Sequence, residues 1–171
     1  MKLFGLNSIS DFSATSYENF FANAPYIDTP EFLPFLTDFI KAHDITHIFP
    51  AHDSAALLLS ANRSNFGNVK VITSSHEANM VCRSKKRTYD ALKHVISVPK
   101  LYKTKADISD SDLPLFLKPD VGQGSKGAKK IKTLTELKES DFTSNVITEY
   151  LPGPEYTIDC FTGVNGNLLY A

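Results

Sequence analysis

The residues whose types and spacing could do chemistry are concentrated in the second half of the chain. Lys118 ends an apolar segment and is followed, over residues 122–127, by a loop that reads Gly-Gln-Gly-Ser-Lys-Gly. Glycine lets backbone N–H groups approach an anion closely, and a neighbouring ammonium group adds attraction. This pattern predicts a site for phosphate groups.

The same loop matches other phosphate-binding motifs only in part. A dinucleotide-binding G-x-G-x-x-G runs from a strand into a helix, and a P-loop ends in Gly-Lys-Ser/Thr. Here Gly127 is followed by Ala128 and by a predicted strand. A protein kinase carries its lysine on a strand after the flap, with HRD and DFG motifs later, whereas Lys118 comes first and neither motif occurs. We interpret the loop as a phosphate flap between two strands, and a flexible hairpin without a ligand is the alternative.

A second group of residues suits the rest of a nucleotide. Glu149, Tyr150 and Leu151 end a predicted strand downstream of Lys118, and Glu155 follows a short turn. A strand end that runs into a turn offers an apolar slot with backbone donors and acceptors for a base, and a carboxylate can accept hydrogen bonds from ribose hydroxyls. We therefore predict a nucleotide site, although Glu149 could instead cap a turn.

The elements that must position these residues are predicted from apolar patterns. Apolar runs predict strands over Leu115–Lys118, Ala128–Ile131 and Asn145–Tyr150, so that the flap joins the first two. Alternating side chains predict a further strand over Glu155–Phe161, and Asn165-Gly166 is typical of a hairpin turn.

The first half alternates helices with strands. Apolar spacing predicts a helix over Glu31–His43, and short apolar runs predict strands over Ile45–Pro50 and Val69–Thr73. Such alternation predicts parallel strands joined by crossover helices. Asp53 is predicted to cap the helix after the first of these strands. Further helix starts are predicted at Ser74 with Glu77, at Ser84, and at Thr133 with Glu136. Residues 105–112 are polar and are predicted as a loop.

Charge narrows the class of partner. Residues 1–82 contain 4 basic and 8 acidic residues, a net −4, and residues 83–171 contain 14 basic and 11 acidic residues, a net +3, so that the chain carries −1. A mildly basic half suits a small polyanion better than a nucleic acid, which needs a strongly basic face.

The remaining composition predicts a cytoplasmic protein without a membrane partner. Apolar runs fall short of the ~20 residues of a membrane span, and the N-terminus lacks the pattern of a signal peptide. Cys82 and Cys160 stand outside any metal-ligand spacing and are interpreted as reduced core thiols. We assign no metal-ligating residues.

Two segments, PLFLKPDVGQGSKGAKKI and VITEYLPGPEYTID, together resemble the nucleotide-binding lobe of ATP-grasp enzymes, with the carbamoyl phosphate synthase-like branch as the nearest match. Residues 84–102 resemble the helix and strand before this lobe, and residues 44–82 resemble the family's preceding α/β domain. The resemblance implies an α/β protein. It would comprise a partial parallel-sheet pre-ATP-grasp domain over residues 1–83, followed by the α+β nucleotide-binding lobe of an ATP-grasp domain over residues 84–171.

The resemblance also implies roles for the site residues. Lys118 would contact the α-phosphate region, and Glu149 would lie near the adenine amino group. The backbone of Tyr150 and Leu151 would line the adenine edge, and Glu155 would bind the ribose hydroxyls. The flap over the β- and γ-phosphates would be formed by Gly122, Gly124, Ser125, Lys126 and Gly127.

The reaction implied by the resemblance is an ATP-dependent ligation, in which ATP phosphorylates a carboxylate or bicarbonate and an amine then attacks the acyl phosphate. The family's Mg²⁺ ligands and catalytic arginine would lie beyond position 171, so we assign no catalytic residue. We expect a chain truncated at both ends, Mg²⁺ only in the complete enzyme, and no activity from these residues alone. Self-association through an exposed apolar surface is a further expectation. A non-catalytic nucleotide-binding or interaction module is the alternative, and a purely structural piece is a third.

Overall fold

Strands of the first half of the chain pair in parallel, as the alternation of helix and strand predicts. In the computed structural model, β1 (Phe4–Leu6) pairs with β2 (Asn19–Phe21), and β3 (His47–Ile48) pairs with β4 (Lys70–Val71). A parallel pair needs a crossover connection, and α2 (Asp53–Ala61) supplies it between β3 and β4. The structure describes residues 2–122, 124–163 and 165–171, apart from the side chain of Ser13.

Helices of this half bury their apolar faces. The helix predicted over residues 31–43 is α1 (Phe32–Ala42), and its apolar spacing places Leu36 and Ile40 in the interior. They pack with Leu59, Phe66 and Val71 into one hydrophobic core. Two shorter helices follow: α3 (His76–Arg83) and α4 (Lys85–Leu92).

Two of the predicted helix caps are wrong by one residue. At the start of α2 the cap is His52, whose Nδ1 accepts a hydrogen bond from the Ser54 N–H at 3.2 Å, so Asp53 is already helical. At the start of α3 the cap is Ser75 rather than Ser74, with its hydroxyl accepting from the Ala78 N–H. The adjacent polar residue in each case can also accept, and only the backbone path selects between them.

Ser84 separates α3 from α4 as predicted. Its hydroxyl accepts a hydrogen bond from the Arg87 N–H at 3.2 Å and so caps α4. Because α4 packs against α3, the chain divides into compact units at residues Met1–Ile96 and Ser97–Ala171. The domain boundary predicted between residues 83 and 84 refers to the domains of the family rather than to these compact units, and it stays a prediction.

The second unit contains a four-stranded antiparallel sheet. Its strands are β5 (Leu101–Tyr102), β6 (Leu115–Pro119), β7 (Lys129–Ile131) and β8 (Asn145–Glu149), and their spatial order is β5-β8-β6-β7. A short helix, α5 (Asp141–Ser144), leads directly into β8. The predicted polar loop over residues 105–112 instead contains two 3₁₀ turns, Lys105–Asp107 and Asp110–Asp112.

One face of this sheet forms the core of the second unit. Leu115, Ile131 and Ile147 are almost fully buried, at 0%, 0% and 1% exposure. In the register of the sheet Leu115 faces Ile131, and Leu117 faces Ile147, so these side chains meet on one side. Ile108 and Leu137, which lie outside the strands, cover them.

The last part of the chain differs from its prediction. The strand expected over residues 155–161 is wrong, because residues 155–160 form neither helix nor strand. A hairpin follows instead, formed by β9 (Phe161–Thr162) and β10 (Leu168–Tyr170). The predicted Asn165-Gly166 turn lies at its tip, where Gly166 has a φ of +77°, although Val164 lies outside the described residues.

Two further expectations bear on the surface. Cys82 and Cys160 are unpaired as predicted, but both are exposed, so their interpretation as core thiols is wrong. None of the helices in the described ranges has the length and apolar character that a bilayer crossing requires.

Candidate nucleotide-binding site

Lys118 and Glu149 lie on the two central, paired strands of the second unit's sheet. Lys118 of β6 faces Val146 of β8, and Glu149 of β8 faces Leu115 of β6. Glu149 is thus paired with a residue three positions before Lys118 on β6. The two predicted site residues are therefore separated along the strand direction by about 10 Å, at ~3.4 Å per residue. The pairing thus holds a cation and a strand end at a fixed separation.

Side chains alternate between the two faces of this sheet. Leu115 and Leu117 point into the core, so Phe116 and Lys118 point to the opposite face. Both are partly buried. We call this opposite side the outer face, and its members are Phe116, Lys118, Lys130, Val146, Thr148 and Tyr150. Val146 and Thr148 are buried within it.

An aromatic and cationic cluster occupies the outer face. Lys130 faces Phe116 across β6 and β7. Its ammonium nitrogen lies 3.7 Å from the centroid of the Tyr150 ring, and that ring is 6.5 Å from the ring of Phe116. Sequence reasoning did not link Lys130 to Tyr150. Linking the two residues requires the β6–β7 register, which pairs Lys130 with Phe116 and so brings it to the face that carries the Tyr150 ring.

The glycine loop joins β6 to β7, as predicted, and is an exposed turn. Gly124, Ser125 and Gly127 have positive φ angles of +65°, +55° and +78°, which glycine adopts readily and serine rarely. The Ala128 N–H donates to the Ser125 carbonyl at 3.1 Å and closes the turn. Gln123 lies outside the described residues.

Pro119 contacts both ends of this loop. A Cβ atom added to Gly122 would lie 3.5 Å from the Pro119 side chain, and one added to Gly127 would lie 3.0 Å from it. The loop therefore returns tightly onto the end of β6, beside Lys118. Lys126 is an exposed residue of the turn. The structure thus brings Lys118 and the described flap residues to one end of the sheet.

The Glu149 carboxylate binds the neighbouring backbone. It accepts a hydrogen bond from the Lys100 N–H at 2.8 Å, while the Glu149 N–H donates to the Lys100 carbonyl at 3.1 Å. Glu149 therefore fastens the segment before β5 to the end of β8.

Residues after Glu149 leave the sheet. Tyr150 turns its ring to the outer face, whereas Leu151 is 60% exposed. Glu155 is exposed in the stretch that forms neither helix nor strand. The structure thus places the Tyr150 ring on the outer face, leaves Leu151 exposed beyond the strand end, and brings Glu155 into no regular element.

Asp112 forms a polar hub that sequence reasoning missed. Its Oδ1 accepts hydrogen bonds from the Lys100 Nζ and the Tyr102 hydroxyl, both at 2.8 Å. Its Oδ2 accepts from the N–H and the hydroxyl of Ser109, at 2.9 and 2.7 Å. The Ser-x-x-Asp spacing of residues 109–112 is a capping-box signal that could have revealed half of this hub.

The contacts of this hub shift the pKa values of its ionisable groups. Hydrogen bonds, first from the Lys100 ammonium and then from Ser109, hold the pKa of the Asp112 carboxyl far below its usual range. The same ion pair raises the pKa of Lys100. Burial raises the pKa of the Tyr102 phenol, which is 5% exposed. The hub is therefore ionised at neutral pH, with a neutral phenol within it.

Cavities in the first unit do not contain the predicted site. The larger, about 460 Å³, is open and lined by Leu33, Pro34, Thr37, Asp38 and Asn65. The smaller, about 100 Å³, lies between α2 and α3, where the Arg83 guanidinium is 3.6 Å from the Asp53 carboxylate. We favour the outer face over the larger cavity because only the outer face combines a flap with a cation and aromatic rings.

The sequence of the second unit matches a known protein family. The family model of the ATP-grasp domain matches residues 82–169, just over half of the chain. No curated protein matches the sequence.

Solved structures share the fold. An L-amino acid ligase from Bacillus licheniformis is 19% identical, with a TM-score of 0.75, over 98% of this chain and 42% of that one. The biotin carboxylase domain of a 2-oxoglutarate carboxylase from Hydrogenobacter thermophilus is 11% identical, with a TM-score of 0.68, over 89% and 39%. A biotin carboxylase from Campylobacter jejuni is 13% identical, with a TM-score of 0.67, over 99% and 44%.

The chain therefore spans about two fifths of the length of these structures. At such identities the structural likeness shows the fold, which is the α/β architecture predicted from the sequence. The family match covers the flap, the β6–β8 pair and the residues that follow. The chain belongs to the ATP-grasp family.

Proposed function

We propose that this chain supplies the ATP-binding part of an ATP-dependent carboxylate–amine ligase of the carbamoyl phosphate synthase-like branch. The observation that carries the proposal is the arrangement around β6. Lys118 is the second-last residue of that strand, and a tight glycine turn follows the strand. The adjacent strand β8 ends at Glu149, directly before Tyr150.

The outer face would bind the base and the phosphates at different places. Phe116 and Tyr150 present ring surfaces that suit an adenine, whose edge would meet the backbone of Tyr150 and Leu151. The Lys118 ammonium would then lie near the α-phosphate. N–H groups of the exposed glycine turn would close over the β- and γ-phosphates. Glu155, in its exposed stretch, would reach the ribose hydroxyls.

Mg²⁺ would enter this site with the nucleotide. Within the described ranges, no three His, Cys, Asp or Glu side chains come together as a metal site, so these residues do not fit a metal centre of their own. The Hydrogenobacter thermophilus relative was solved with MgADP and bicarbonate. We assign Mg²⁺ to the complete enzyme and derive no step of the reaction through it.

In the complete enzyme, the bound ATP would phosphorylate a carboxylate or bicarbonate, and an amine would attack the acyl phosphate. The contribution of this chain is to hold and orient the nucleotide, since positioning and charge stabilisation supply most of the catalysis in phosphoryl transfer. We propose that the 171 residues alone form no ligation product. Product formation by this chain with ATP, Mg²⁺ and amino acids would show otherwise.

Two further parts of the proposal concern location and assembly. Free, exposed thiols at Cys82 and Cys160 fit a reducing cytoplasm. Exposed apolar side chains cluster over residues 151–170, and they favour self-association of the chain. They are Leu151, Tyr156, Ile158, Phe161, Leu168, Leu169 and Tyr170.

Calorimetry with ATP and Mg²⁺ on wild type, Lys118→Ala and Lys132→Ala tests the proposal. Lys132 is an exposed lysine just after β7 and serves as the matched control. A hydrogen bond to a charged group is worth about 1.5–3 kcal/mol, so Lys118→Ala should bind ATP at least tenfold more weakly, at about one order of magnitude per 1.4 kcal/mol. Lys132→Ala should bind like wild type. Equal binding by all three proteins would remove Lys118 from the site.

The alternative, a non-catalytic nucleotide-binding or interaction module, shares the same nucleotide contacts. It is favoured by the exposed apolar residues after Glu149, which a partner chain would cover. A full-length protein that binds ATP without consuming it would support this alternative.

A further inference from the structure

Three 3₁₀ turns in the described part of the second unit begin with the same reciprocal cap. In each, the acid at the third position of the turn accepts from the backbone of the capping Thr or Ser. The pairs are Thr104 with Asp107, Ser109 with Asp112, and Thr133 with Glu136. The caps therefore share one chemistry, and they provide matched comparisons for one another.

Asp112 differs because its contacts reach beyond its own turn. One oxygen serves the cap at Ser109, as in the other turns, while the other binds Lys100 and Tyr102. Asp107 accepts from the N–H groups of Lys103 and Thr104, which are local. The Asp112 side chain is 19% exposed and the Lys100 side chain is 58% exposed, so the ion pair lies at the surface with its carboxylate partly shielded.

Lys100 is held at both its side chain and its backbone. Its ammonium group binds Asp112 at 2.8 Å and lies 4.6 Å from the centroid of the Tyr102 ring, which is in the core. Its backbone exchanges two contacts with Glu149, one with the carboxylate and one with the N–H. Asp112 is thus connected, through Lys100, to the last residue of β8.

We propose that Asp112 is a positioning residue for base recognition: by anchoring Lys100 it fixes the end of β8, and so the place of the Tyr150 and Leu151 backbone. The inference rests on the proposed function, because that backbone matters only if it meets a base. It assigns a role to a residue that touches no part of the nucleotide.

Base identity is the property that such positioning would control. Adenine presents a donor and an acceptor on its edge, whereas hypoxanthine presents the reverse pair at the same positions. A backbone N–H and C=O held in place distinguish the two, because the wrong base leaves buried polar groups unpaired. A strand end that moves can adapt to either base, so a loosened anchor should reduce the preference for ATP over inosine triphosphate.

The test compares Asp112→Asn with Asp107→Asn in the full chain. The first change removes the charge that anchors Lys100, whereas the second removes the same charge from a local cap. We expect Asp112→Asn to lower the ratio of ATP affinity to inosine triphosphate affinity about fivefold, roughly the worth of one hydrogen bond. It should also speed amide hydrogen exchange at residues 149–151 relative to the rest of the second unit. Asp107→Asn should change neither quantity.

Lys100→Met provides a second variant that keeps Asp112 and its cap, and we expect it to reproduce both effects even if Asp112→Asn folds poorly. Unchanged selectivity in both variants would overturn the inference while leaving ATP binding intact. Exchange that rises equally throughout the unit would overturn it too, because it would show a structural role alone. A wild-type chain that binds neither nucleotide would overturn the proposed function and the inference together.

Discussion

The ammonium group of Lys130 lies over the ring of Tyr150, with 3.7 Å between its nitrogen and the ring centroid. This contact spans β6, because Lys130 belongs to β7 and Tyr150 follows β8. It holds the first residue after β8 against the outer face. The ring that we propose for a base is therefore already oriented in the free chain.

The first prediction concerns the strength of that contact. A cation–π pair at a partly exposed site is worth about 0.5–1 kcal/mol. A double-mutant cycle of Lys130→Met and Tyr150→Leu, measured by urea unfolding, should give a coupling energy of this size. The same cycle with Lys132→Met in place of Lys130→Met should give a coupling near zero, and equal couplings would contradict the contact.

The second prediction concerns the core of the second unit. Ile131 is fully buried against Leu115, so Ile131→Ala should lower the free energy of unfolding by about 2–5 kcal/mol, through lost burial and the cavity left behind. Leu151→Ala, at a side chain that is 60% exposed, should change it by less than about 0.5 kcal/mol. Similar unfolding midpoints for the two variants would argue against this core.

The third prediction concerns the glycine turn. Gly127 has a φ of +78°, and an added Cβ would lie 3.0 Å from the Pro119 side chain. Gly127→Ala should therefore lower the free energy of unfolding by about 1–2 kcal/mol, the cost of a left-handed residue with a side chain. At Gly122 the added Cβ would make an ordinary contact at 3.5 Å, so Gly122→Ala should cost less. A larger loss for Gly122→Ala would contradict this geometry.

The fourth prediction concerns pH. Hydrogen bonds hold the carboxyl pKa values of Asp107, Asp112 and Glu136 below their ordinary ones, chiefly through the Thr104 backbone, the Lys100 ammonium and the Lys132 backbone respectively. A lowered pKa in the folded state contributes stability above the unfolded value, about 4, and that contribution is lost as the pH falls toward the folded value. The urea concentration at the midpoint of unfolding should therefore decrease as the pH is lowered below about 4.

Asp112→Asn checks the contribution of the hub to this acid response. Since that variant has already lost one of the three carboxylates, its midpoint should fall less steeply with acid than that of wild type. At the alkaline end, the raised pKa of Lys100 means that its contribution is present below about pH 10 and is lost as the pH rises through the folded value. If the urea midpoints of wild type and Asp112→Asn decreased equally with acid, the contribution assigned to Asp112 would be contradicted.

Local patterns predicted most of the elements because their signals lie within a few residues. The Thr133–Glu136 cap, the strand starting at Leu115 and the cap at Ser84 all appear where the sequence placed them. Errors arose where two neighbours carry the same chemistry, as with Ser74 and Ser75. Alternation alone also predicted a strand over residues 155–161, but within the described residues no strand pairs with residues 155–160.

The site was less predictable than the elements, because its contacts depend on register. The sequence pointed to Lys118 and the glycine turn, and the structure brings them to one end of a sheet. The sequence could not show that Asp112 contacts Lys100, or that Lys130 contacts Tyr150, because those pairs meet only through tertiary packing. The nucleotide roles of the individual residues remain predictions, and the binding measurements above test them.

The strand order β5-β8-β6-β7 also has a consequence during synthesis. β8 is the last of these strands to leave the ribosome, yet it occupies the place between β5 and β6. Until residues 145–149 emerge, β5 lacks its partner and the β6–β7 hairpin stands alone, and an isolated hairpin is marginally stable at best. The three capped turns are local and can form early, whereas the sheet, with its buried face, can be completed only after β8 inserts between strands already made.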